Sequence, residues 1–254
     1  VKRRRDAIPV ILVALMTRLA VYGLAYLHNP DCSIANADAV AYHSGIRTAG
    51  WLWNPAYFLF LMIPGAIVIQ LILSMVSVWL MFRLNKFAGW IWAFYPVAIF
   101  VWYQYNKQSV MIPLLIIVIY LLRNKPFWKF MTFLLVMLPF QAFGSVLVKN
   151  YQVLGLGFNR NLFELWFNGG SAFLFTQSTI IYWAFVPCYL AAIIYYFRNV
   201  ELDADSLIVI TVTIVFMLIV GNPTYREPVM PLVALWYGKR FTKGGKQLEQ
   251  ADAH

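Results

Sequence analysis

Long apolar runs separated by short polar stretches make up nearly all of this chain. Runs able to cross a bilayer fall at 8–27, 55–82, 88–103, 109–122, 128–148, 179–197, 206–221 and 228–238, which reads as eight helices. Those at 109–122 and 228–238 are short, and are expected to run into their flanks or to sit tilted among neighbours. The pattern predicts an all-α, polytopic integral membrane helical bundle. It forms a single transmembrane domain over 1–241, with outer loops at 28–54 and 149–178 and a polar cytoplasmic tail at 242–254, partly disordered. The stretch "FRNVELDADS" reads as a helix end followed by an N-cap at Ser206 or Asp205. The first outer loop mixes Ala39, Val40, Tyr42, His43 and Trp51 with small and polar residues, which suits a short helix lying in the interface.

Composition agrees: of 254 residues 62% are hydrophobic and 12% charged, and the mean hydropathy is +0.69, beyond what a solvated domain tolerates. Many Trp and Tyr stand near the ends of apolar runs, at headgroup level. "KRRR", the apolar run and the triplet Ala35-Asn36-Ala37 imitate a cleavable signal peptide. The run from Ile8 to Leu27 is nevertheless long enough, at 1.5 Å per residue, to span a hydrocarbon core of about 30 Å, and is read as the first span.

The formal net charge of +10 comes from basic residues scattered between apolar runs, without the continuous basic face that nucleic acid requires. With both termini cytoplasmic, only Arg18, Arg47, Lys107, Lys149, Arg160 and Arg226 of the 20 basic residues fall in the membrane or outside, as the positive-inside rule demands. Cys32 lies in a loop and Cys188 deep in an apolar run, so neither a disulfide nor a zinc site is expected. No Walker pattern, HExxH, CxxC or GxSxG occurs.

Ionisable groups converge on the outer side, and each is costly enough at the bilayer edge to invite a functional reading. Arg18 is too deep for easy escape, and either pairs with an outer-loop carboxylate or snorkels to the headgroups. Asp38, in "NADAVAYH", is placed to act as a general base on a hydroxyl, or else to cap the short interfacial helix. His43 is a second polar contact or a surface histidine. "NPTYREPVMP" sets Tyr225, Arg226 and Glu227 ahead of Pro228 and Pro231, giving either a positive helix start suited to phosphate or a structural turn.

In order along the chain, Arg18, "ADAVAYHSGI", Asn54-Pro55, "QLILSMVSVWLMFRL", "AFYPVAIFVWYQYNKQSVMIPLL", "VKNYQVLGLGFNRNLFELWFNGG" and "TYREPVMPLVALWYG" resemble the polytopic glycosyltransferases of the GT-C superfamily, particularly bacterial relatives of protein O-mannosyltransferases. The resemblance implies a GT-C-like bundle that moves a sugar from a polyprenyl-phosphate donor to a glycan, lipid or protein acceptor, with inversion, in assembly of the cell envelope. It makes Asp38 the catalytic base and Arg226 the donor-phosphate ligand, assisted by Lys107, Lys149 and Tyr225, with Arg18, Tyr42, His43 and Glu164 in support. Thr224 stands where the family has a first closing arginine, Lys149 replaces the arginine before Asn150-Tyr151, and Lys107-Gln108-Ser109 replaces an acid near the fourth helix. No cofactor is expected. A divalent metal near Asp38 and Glu164 is the less favoured alternative, because the cations cluster. A flippase for a lipid-linked intermediate and a non-catalytic subunit of an envelope assembly are the rival readings.

Overall fold

The structure, a computed structural model, describes residues 6–28, 30–31, 55–104, 106–140, 191–192, 194–220 and 228–251. These contain helices and no strand. In chain order they are α1 (Ile8–His28), α2 (Pro55–Leu61), α3 (Ala66–Leu84), α4 (Lys86–Phe94), α5 (Pro96–Phe100), a 3-10 turn (Val101–Tyr103), α6 (Gln108–Leu121), α7 (Pro126–Met137), a second 3-10 turn (Leu138–Phe140), a short helical stretch at 194–199, α8 (Ala204–Val220) and α9 (Met230–Ala251). Two of them, α1 and α3, are long and apolar enough to cross a membrane, while α6 and α7 are shorter apolar helices.

Backbone chemistry cuts two of the expected runs. The run at 55–82 divides at Pro64-Gly65: Gly65 adopts φ 75°, a left-handed conformation cheap only for glycine, before α3 begins. The run at 88–103 breaks at Tyr95, whose ψ of 119° is extended, because the following Pro96 disfavours helical backbone before it and offers no N–H. Between α3 and α4 the chain reverses at Asn85 alone. Its N–H donates to the Met81 carbonyl and closes α3, while its side chain accepts from the Ala88 N–H at 3.1 Å and opens α4. At α8 the N-cap is Asp203, not Ser206 or Asp205. The Asp203 carboxylate accepts from the Ser206 N–H, and the Ser206 hydroxyl oxygen accepts from the Asp203 N–H, both at 2.7 Å, a reciprocal cap. The last helix continues to Ala251, through most of the stretch expected as a polar tail.

Contacts order the helices into an antiparallel bundle with two ends. At the basal end, where α1 begins, Lys86 pairs with Asp6 at 3.2 Å, Asn85 donates to Thr242 at 3.2 Å, and Lys129 pairs with Asp205. At the distal end Tyr22 of α1 packs on Trp102 and Tyr103, with ring centroids 5.5 Å apart in both pairs. Helices α1, α4, α7 and α8 therefore run from the basal end, and α3, α6 and α9 run back to it. Helix α4 is clasped by α3 on one side and α9 on the other at two glycines: a Cβ on Gly89 would lie 2.6 Å from Phe82 Cα, and one on Gly238 would lie 2.5 Å from Asn85 Oδ1.

Helix α1 is inside out relative to a helix in water. Leu12, Met16, Leu24 and Leu27 are exposed, whereas the stripe Val10, Ala14 and Arg18 is buried. A large apolar outer face with a guanidinium turned inward is stable where the surroundings are themselves apolar.

Candidate functional site

The buried stripe of α1 meets a polar stripe on α3. Gln70, Ser74 and Ser77 recur at spacings of four and three, which puts them on one helical face, and all are buried. Ala14 leaves room one turn below Arg18, and the guanidinium lies across the α1–α3–α4 junction. Its Nε donates to Ser74 Oγ at 2.8 Å, and its Nη1 donates to the carbonyls of Ala93 at 3.1 Å and Ala14 at 3.2 Å. Ala93 needs that donor because α4 stops one residue later at the Tyr95-Pro96 break, leaving carbonyls of its final turn without intrahelical partners. Ser74 in turn donates to the Ala98 carbonyl at 3.5 Å. Arg18 thus acts as the C-cap of a helix broken inside the bundle, where a cation suits the negative end of the helix dipole.

The cap uses only part of the group. Among the described residues Nη2 is buried without a hydrogen-bond partner, and the groups that Arg18 does bond, Ser74 and the carbonyls of Ala14 and Ala93, are neutral. A guanidinium presents five donors and cannot readily shed its charge, so Arg18 has a donor, Nη2, that the described residues leave unused. Toward the distal end, Gln70 donates to the Tyr57 hydroxyl at 3.0 Å, tying α2 to α3. Gln104, Gln108 and Ser109 add buried polar groups at the start of α6, where the Asn106 side chain accepts from the Gln108 N–H at 3.0 Å. Lys107 immediately precedes α6, half-buried, with its carbonyl accepting from the Val110 and Met111 N–H groups.

Of the expected site residues, Arg18 and Lys107 are therefore placed, Arg18 midway along α1 and Lys107 at the distal end. Asp38, Tyr42, His43, Lys149, Glu164, Tyr225 and Arg226, together with the interfacial helix of the first loop, lie outside the described residues. Ser74 and Ser77 escaped sequence reasoning, although two hydroxyls at helical spacing from Gln70 in an otherwise apolar helix carry the signal. Among the described residues no three His, Cys, Asp or Glu side chains cluster as metal ligands. No protein-family model matches the chain, and neither does any curated protein or solved structure.

The basal end has its own charged cluster. Lys129, almost fully buried, pairs with Asp205, and Lys239 approaches the other oxygen of the same carboxylate at 3.8 Å. One acid thus joins α7, α8 and α9, where the sequence had offered only isolated charges.

Proposed function

We propose that the protein is a polytopic membrane glycosyltransferase of GT-C type, crossing the bilayer eight times, with both termini in the cytoplasm and its site on the outer face. It transfers a sugar from a polyprenyl phosphate to an acceptor hydroxyl with inversion. The order of the motifs along the chain supports the family. The outward-facing apolar surface of α1 and the alternation of helix directions support a membrane bundle. The observation that carries the reading is Arg18: a buried guanidinium whose Nη2 has no partner among the described residues, on the helix that leads into the loop containing Asp38.

A lipid-linked sugar keeps its tail between helices and its headgroup at the interface, so base and cations must meet the substrate at one depth. In this reading the Asp38 carboxylate accepts the proton of the acceptor hydroxyl as its oxygen attacks the anomeric carbon. Attack comes from the face opposite the phosphate, the bond from that carbon to the phosphate oxygen breaks, and polyprenyl phosphate leaves. Arg226, with Lys107 and Lys149, offsets the charge that gathers on the departing phosphate. Tyr42, His43 and Tyr225 hydrogen-bond the sugar or phosphate, Arg18 holds the carboxylates of the loop above it, and Glu164 supports the outer rim.

A second reading, a flippase for a lipid-linked intermediate, draws on the break between α4 and α5 inside the bundle, since discontinuous helices line the central sites of many transporters. The two part on one assay. Purified protein is given a panel of polyprenyl-phosphate sugars and candidate acceptors, beside its Asp38→Asn variant. Release of polyprenyl phosphate by the wild type alone supports transfer. Equal release by both variants removes Asp38 as the base, and movement of an unconsumed donor across vesicles favours the flippase.

A further inference from the structure

The basal end holds a cleft of about 430 Å³ between α9 and the chain that enters α8. One wall is cationic. Arg240 is fixed there by donating to the Tyr195 hydroxyl at 3.0 Å and the Asn199 carbonyl at 3.3 Å, and its guanidinium lies 4.7 Å from the Trp236 ring centroid. Lys239 stands beside it, largely exposed. The other wall is acidic: Asp203 uses one carboxylate oxygen to cap α8, and the Glu201 carboxylate makes no ion pair among the described residues. Lys239 reaches Asp205, outside the lining, at 3.8 Å, but among the described residues no ion pair joins Lys239 or Arg240 to Glu201 or Asp203 across the cavity.

A ligand of one charge would satisfy one wall and be repelled by the other. A ligand carrying an anion and an ammonium a few atoms apart satisfies both. The surroundings specify where such a ligand comes from. Leu202, between the two acids, is 86% exposed, and the exposed rings of Phe87 and Phe241 pack together at 6.0 Å on the neighbouring rim. Exposed leucine and paired aromatic rings beside a charged cleft are the arrangement of a membrane interface.

We propose that this cleft binds the headgroup of a zwitterionic aminophospholipid, with its phosphate against Lys239 and Arg240 and its primary ammonium against Glu201 and Asp203. The proposal rests on the membrane reading above but not on the transfer reaction. A primary ammonium has three N–H donors for the carboxylates, whereas a trimethylated one has none, so the site discriminates phosphoethanolamine from phosphocholine lipids.

The test uses the full chain reconstituted in vesicles of equal phosphatidylethanolamine, phosphatidylcholine and phosphatidylglycerol, released in mild detergent, with retained lipids counted by native mass spectrometry. Partly exposed charge contacts of this kind predict an enrichment of phosphatidylethanolamine of about fivefold over each competitor. Glu201→Gln removes the preference over phosphatidylcholine, and Lys239→Gln lowers retention of phosphatidylethanolamine. Both side chains are exposed, so both variants keep the fold. Equal retention of the three lipids by the wild type, or a preference unchanged in Glu201→Gln, overturns the assignment. Displacement of the lipid by free phosphoethanolamine at equal concentration overturns the lipid source. A wild-type chain that does not enter vesicles overturns the membrane reading as well, whereas an inserted chain without headgroup preference overturns the cleft alone.

Discussion

Arg18→Met asks whether the buried guanidinium is kept for the fold or for its charge. Removing it breaks the bonds to Ser74 and Ala93, since the Ala14 carbonyl already has its partner within α1. Hydrogen bonds from a charged donor are worth about 1.5–3 kcal/mol each, so the two together contribute about 3–6 kcal/mol. Against this stands the desolvation of a cation with no carboxylate among the described residues, a cost of roughly several kcal/mol. Methionine approximates the length of the side chain, and Ser74 keeps its contact with Ala98, so the orphan left behind is the Ala93 carbonyl, at about 1–3 kcal/mol. The opposing effects nearly cancel, and Arg18→Met is expected to change stability by less than about 2 kcal/mol in either direction. Arg18→Ala adds a cavity to the same orphan and is expected to lose about 3–5 kcal/mol. Reversible unfolding of the purified protein in mixed micelles measures both, and the transfer assay on the same samples reads the function. A loss above about 2 kcal/mol in Arg18→Met would overturn this balance, because the guanidinium would then be chiefly a structural cap. A stable Arg18→Met protein that no longer transfers sugar is the predicted result.

Other expectations follow from the packing. Gly89→Ala drives a methyl group into the backbone of α3 at Phe82, and is expected to cost about 1–3 kcal/mol in the same unfolding assay. Gly238→Ala meets Asn85 Oδ1, the atom that caps α4, so its loss should exceed that of Asn85→Ala, for which about 0.5–2 kcal/mol is expected. Lys129→Met leaves the half-buried Asp205 carboxylate with only the exposed Lys239 at 3.8 Å, and should cost about 1–3 kcal/mol. Adding Asp205→Asn should recover much of that loss, and a double variant no more stable than Lys129→Met would argue against the pair.

Hydropathy marked where most of the described helices lie, but not the end of α9, which continues as a helix through polar residues to Ala251, well beyond its apolar run. Nor did it mark the interruptions of the helices, because hydropathy is blind to backbone donors. Pro64 and Pro96 sit in continuous apolar text, yet each removes an N–H and forces the chain to turn or break. Caps were visible only to within a few residues: Asp203, Asp205 and Ser206 are all good candidates in isolation, and the reciprocal bonds of Asp203 with Ser206 decide among them. Arg18 stood out as a charge in an apolar run, but its partners did not, since two are main-chain carbonyls that no sequence pattern marks. The pairing of Lys129 with Asp205 joins residues far apart in the chain, and only tertiary packing selects it from the other basal charges.

In the proposed site Asp38 and Arg226, distant along the chain, meet at one outward-opening hollow. This meeting is tested most directly with Asp38→Cys/Arg226→Cys in a background carrying Cys32→Ser and Cys188→Ser, treated in intact cells with a short, membrane-impermeant bis-thiol crosslinker. The account predicts that the two positions are joined from the outer side, and that a polyprenyl-phosphate sugar slows the joining. Labelling of the two positions from opposite sides of the membrane, or labelling of both without any crosslink, would contradict it.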